Sequence, residues 1–80
     1  MPTIFRGDGY RFYFYSHESN EPPNVHIDKG GDTAKVWLAD LSFTKTRGFR
    51  SKERAFIVEV ILEHREAMLE AWHEHIDQSR

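Results

Sequence analysis

Residues 10–16 read Tyr-Arg-Phe-Tyr-Phe-Tyr-Ser, and they decide what kind of fold the chain can adopt. Aromatic side chains favour extended, pleated backbone, so the run predicts a strand. Successive side chains of a strand point to opposite faces. Tyr10, Phe12 and Phe14 therefore share one side, and Arg11, Tyr13 and Tyr15 the other. The first side is the core side. Phe5 joins it from the short apolar segment Ile4-Phe5-Arg6, which ends at the turn signal Gly7-Asp8-Gly9.

Downstream of this strand, His17 to Asn24 read as a polar loop stiffened by Pro22-Pro23. Val25 to Lys29 predict a second strand, Gly30-Gly31-Asp32 a hairpin turn, and Thr33 to Ala39 a third strand. There Ala34, Val36 and Leu38 share one face and Lys35 and Trp37 the opposite one. Leu41 to Lys45 add a short edge strand before the break at Arg47-Gly48.

From Ser51 the period changes. Ile57, Val60, Ile61, His64, Met68, Ala71, Trp72 and Ile76 recur at three- and four-residue spacing, the pattern of an amphipathic helix. Glu59, Glu63, Glu66, Glu70 and Glu74 supply its solvated side, and Ser51 is a candidate N-cap. A helix over 52–77 is about 39 Å long. A domain of this size has a radius of gyration of about 12 Å. The length predicts a bend near His64-Arg65 or a projecting end. Strands joined by tight turns are antiparallel. The expectation is a single α+β domain over 1–80, mostly β over 1–50 and helical over 51–77. Its antiparallel sheet has three to four strands and is packed by the C-terminal helix.

Eighty residues without cysteine exclude disulfides and Cys-ligated zinc. A chain this short buries only about 60% of its unfolded surface, so its eleven aromatic residues are the main source of core. The opening Met-Pro-Thr-Ile-Phe-Arg-Gly-Asp has no apolar run ahead of a cleavage site, and no segment reaches membrane-spanning length. A cytoplasmic chain without membrane contact is expected. The formal net charge of −2 argues against bulk electrostatic binding to nucleic acid. The distribution is uneven, however. Residues 41–54 hold five basic residues against one acid, whereas 51–80 hold four against seven.

The motifs Asn-Glu-Pro-Pro-x-Val-His-Ile, Ala-Lys-x-Trp-Leu, Arg-Gly-Phe and Leu-x-x-Ala-Trp together resemble a small bacterial family, domain-of-unknown-function family 4160. The resemblance covers essentially the whole chain. It implies a stand-alone protein of about this size, often encoded beside a second small domain of unknown function in an arrangement like a toxin–antitoxin pair. Many members have His where this chain has Asn24, giving His-Val-His in place of Asn-Val-His.

That difference bears on the candidate site. Two histidines at i and i+2 on a strand can grip one metal, but Asn24, His26 and Asp28 make a poor transition-metal set. His17 would complete it only if the Pro-Pro loop folded back. No metal or cofactor is expected. Histidine as a residue type exchanges protons near neutral pH, so His26 is the candidate acid–base group, with Arg11 and Lys35 to hold a phosphate. The same three residues also suit any solvated sheet face. Tyr13, Tyr15 and Trp37 lie on that face with Asp28. Aromatic rings beside cations fit single-stranded RNA or a protein interface equally well. Lys45, Arg47, Arg50, Lys52 and Arg54 form a basic stretch for RNA phosphate or an acidic partner, or are simply solvated. His64 reads as a core histidine, and His73 and His75 carry no assigned role. Two functions remain open. One is a member of a toxin–antitoxin-like pair that binds a small protein partner and binds or cleaves RNA. The other is a non-catalytic interaction module or homodimer.

Overall fold

A computed structural model describes residues 3–14 and 21–78. Five strands precede one helix: β1 (Thr3–Gly7), β2 (Tyr10–Tyr13), β3 (Asn24–Lys29), β4 (Asp32–Trp37), β5 (Phe43–Arg47) and α1 (Ser51–Gln78). The strands lie side by side in chain order. Each is antiparallel to its neighbour.

The sheet thus has one strand more than the three or four expected. The addition is β1, whose five residues are too few to show an alternating pattern. Its pairing comes from the turn. Asp8 and Gly9 have φ of 52° and 84°, the two positive values a type I′ hairpin requires, and Gly7 pairs with Tyr10 across it. Gly30, at φ 60°, opens the β3–β4 turn in the same region, as a II′ turn demands. The edge strand expected over Leu41–Lys45 is displaced to Phe43–Arg47. Asp40 accepts from the Ser42 amide at 3.0 Å and its hydroxyl at 2.7 Å, so Asp40 to Ser42 belong to the turn.

One face of the sheet forms the core. Tyr10, Phe12, Phe14, Val25, Ile27, Ala34 and Val36 are buried on it, against Ile57, Val60, Ile61, Met68 and Trp72 of α1. Trp72 stands perpendicular to Phe14 with ring centroids 5.3 Å apart. The helix runs without a break through His64-Arg65. His64 meets Phe5 at 5.4 Å and His75 meets Phe14 at 5.9 Å, so α1 stays over the sheet at least to His75. Arg65 Nη2 also donates to Ala39 O at 2.9 Å, tying mid-helix to the β4–β5 turn. The N-cap is Arg50 rather than Ser51. Its carbonyl accepts the first helical bond, from Arg54 N at 2.9 Å, and Glu53 reaches back to its amide at 3.2 Å, as the acid of a capping box does.

Two features give testable consequences. The Ser42 hydroxyl, and then its amide, hold the exposed Asp40 carboxyl below its ordinary range. Stability from that turn is therefore complete at neutral pH and fades as pH falls through the lowered value. Gly48 has φ 96°, and a Cβ there would run into the Asp32 carboxylate. Gly48→Ala should destabilise the fold by about 1–3 kcal/mol in urea unfolding. Gly31→Ala, where a Cβ meets nothing within 4 Å, should be neutral or slightly stabilising.

Candidate functional site

The opposite face of the sheet carries the polar residues, and strand register brings them together. Tyr13 pairs with His26, and His26 with Lys35. Arg11 lies across from Asp28, and Asp28 across from Thr33. A pocket of about 350 Å³ opens here, lined by Tyr13, His26, Asp28, Thr33, Lys35 and Lys45.

Lys45 reaches this pocket through a break in the sheet. Alternation from Phe43, which faces the core, would put Lys45 on the helix side. Thr33 pairs with Arg47 but Lys35 with Thr44, so β5 carries an extra residue. Lys45 has φ 52°, in the left-handed region that costs a non-glycine residue about 1 kcal/mol or more. The bulge re-aims its side chain into the pocket.

The expectation of an open, solvated face is corrected by the burial, although Asp28 itself is only half-buried. His26 is 8% exposed, Tyr13 4%, Lys35 2% and Asn24 fully buried. Part of the cover comes from the segment leading into β3. Lys35 Nζ meets Glu21 Oε1 at 2.8 Å, and Asn24 Nδ2 donates to Pro22 O at 3.0 Å. A buried ammonium requires such a carboxylate. Glu21 therefore takes up much of the charge that would make Lys35 a phosphate ligand. Lys35 also lies 4.7 Å over the Trp37 ring.

The Tyr13 ring stacks on His26 at 5.6 Å and lies under the Arg11 guanidinium at 4.5 Å. Its hydroxyl donates to Asp28 Oδ2 at 3.0 Å. The other carboxylate oxygen, Asp28 Oδ1, is buried without a hydrogen-bond partner. Such an atom is uncommon in a folded protein and calls for a donor.

Of the residues singled out in the sequence, Tyr13, His26, Asp28, Lys35 and Lys45 meet in the pocket. Arg11 and Trp37 are held by stacking beside it. Arg47 pairs with Thr33 at its edge, and Arg50 sits apart at the helix cap. Tyr15 and His17 lie outside the described residues. Thr33 and Glu21 were missed, although the acid beside the rigid Pro22-Pro23 was a signal for Glu21. Among the described residues no three His, Asp or Glu side chains converge as a metal site would need.

Residues 9–73 match the family model described as Domain of unknown function (DUF4160). The chain belongs to that family. No curated protein and no solved structure matches it. The matched span of the family contains every strand from β2 to β5 and most of α1, so the outer-face pocket lies wholly within it. Among the described residues no helix is long and apolar enough to cross a membrane.

Because Lys35 is 2% exposed, its ion pair is structural as well as electrostatic. Glu21→Gln should lower stability by about 1–3 kcal/mol, the partial exposure of Glu21 limiting the loss. Lys35→Met, which removes the buried charge and keeps the chain length, should cost less in the same denaturant titration.

Proposed function

We propose that the outer-face pocket binds RNA, and that the chain is one member of a bacterial toxin–antitoxin-like pair working with a small protein partner. The observation that carries this is the pairing of two unmet demands in one pocket. Lys45 is an exposed cation at the rim, suited to an anion. Asp28 Oδ1 is a buried acceptor without a donor. A ribonucleotide carries both complements on neighbouring atoms, a phosphate and the 2′-hydroxyl by which proteins distinguish RNA from DNA.

His26 sits two residues from Asp28 on the same face of β3. An imidazole beside a 2′-hydroxyl is suited to take its proton, so cleavage as well as binding is within the chemistry of these side chains. Lys35 acts here as a positioning residue, since its ammonium is bound to Glu21. Tyr13 serves through its hydroxyl more than its ring, because the residue is only 4% exposed and its ring is stacked on His26.

The reading as a non-catalytic interaction module has its own support. Leu62 on α1 is 57% exposed, with Val58 and Leu69 half-buried at positions four before and seven after it on the same helical flank. That flank is separate from the pocket, so the two readings respond to different substitutions.

Expression of the chain alone in bacteria should arrest growth with loss of RNA within minutes. His26→Gln should relieve both while circular dichroism shows an unchanged fold. If His26→Gln is as active as the wild type, RNA action at this pocket is wrong. If Leu62→Asp abolishes partner capture while wild-type expression leaves growth and RNA intact, the interaction module is the better account.

A further inference from the structure

Beyond the pocket, the largest unexplained feature is the basic stretch that leads away from it. Lys45, Arg47, Arg50, Lys52 and Arg54 are all exposed. The one acid among them, Glu53, turns to the other flank, where it lies 3.7 Å from Lys29 Nζ and caps Arg50 N. Concentrated like charge left in solvent is destabilising to the fold, so it calls for a ligand of opposite sign.

Position divides the five. Lys45 is at the rim of the pocket and Arg47 is two residues further along β5, a step of about 6–7 Å. Arg50 and Arg54 follow one helical turn apart, about 6 Å along the axis. Arg54 shares a groove with Phe43 of β5, so it lies beside the edge strand, and Arg50 precedes it at the helix cap. Lys52 turns away, into a groove with Asp8, Tyr10 and Lys29.

We infer that Lys45, Arg47, Arg50 and Arg54 form a track for the phosphodiester backbone of single-stranded RNA, which runs along the β5 edge and enters the outer-face pocket at Lys45. This rests on the RNA reading above and adds the path of the chain. The two steps, Lys45 to Arg47 and Arg50 to Arg54, are each comparable with the stride between phosphates of an extended strand. An acidic peptide added to the sheet edge is the competing occupant. The bulge and positive φ at Lys45 interrupt the β5 hydrogen-bonding edge, and a bulged, lysine-bearing edge is poor for strand addition. Phosphate contacts need no such edge, only cations that reach solvent.

The test is the salt dependence of binding to a labelled oligouridine, followed by fluorescence anisotropy. Four phosphate contacts predict a slope of log K against log salt of about −3 for single-stranded nucleic acid. Arg47→Gln/Arg50→Gln/Arg54→Gln should reduce it to about −1, parting from the wild type by about a hundredfold at 0.1 M salt and converging near 1 M. The matched pair Arg54→Gln and Lys52→Gln removes the same charge two residues apart. Only Arg54→Gln should lower the slope, by about 0.7.

Equal effects from both single variants would mean a response to net charge and would overturn the track. Wild-type binding by the triple variant would also overturn it, while RNA binding sensitive to His26→Gln would leave the pocket reading standing. If the wild type binds no oligouridine at any salt, both readings fail. A triple variant that loses an acidic peptide such as oligoglutamate, yet keeps RNA, would hand the track to a protein partner.

Discussion

The contact between Trp72 and Phe14 is the one on which the rest of the arrangement depends. It joins the C-terminal half of α1 to the point where the chain leaves β2, and it holds the helix across the sheet. A single helix must cover the whole apolar face of a five-stranded sheet in a chain of 80 residues. Large aromatic side chains allow this because each buries roughly 150–250 Å². Phe5 meets His64, Tyr10 meets Phe56 and Phe14 meets Trp72 along the helix, so rings supply both the area and the alignment. With the helix fixed on one side, strand alternation commits Arg11, Tyr13, His26, Asp28 and Lys35 to the other.

That other face is built differently. An antiparallel sheet can leave one face in water, yet here Asn24, His26 and Lys35 are buried, and the segment leading into β3 covers part of that face. Pro22-Pro23 limit the conformations of that segment, and Glu21 and the Pro22 carbonyl bind Lys35 and Asn24. The result is a polar second layer held by an ion pair and a hydrogen bond in place of apolar packing. A buried charge fixed this way is weak evidence for stability, because its desolvation offsets much of its attraction. Its value is geometric. It shapes a pocket with an unused carboxylate oxygen at one side and Lys45 at the other.

Much of the architecture was legible in the sequence. The two faces of Tyr10 to Phe14 follow from alternation, and the shift from period two to period 3.6 at Ser51 marks where sheet becomes helix. The antiparallel order follows from the Asp8-Gly9 and Gly30-Gly31 turns. What escaped were features without a period. β1 is too short to show one. The cap at Arg50 depends on a backbone carbonyl and on Glu53 reaching back. The extent of α1 past His64-Arg65 was legible in its period, but its seat there on Phe5 of β1 was not.

For the site, the sequence by itself determined the residue types and the face they share. His26, Asp28, Lys35 and Tyr13 were placed together by spacing alone, because side-chain direction in a strand depends only on position along it. The tertiary structure decided which of them are available. Burial, the pairing of Lys35 with Glu21 and the stacking of Tyr13 are set by segments distant in sequence, and no local pattern records them. The bulge at Lys45 is the sharpest case. One extra residue in β5 moves that lysine from one face of the sheet to the other, and whether a residue is extra depends on the strand it pairs with.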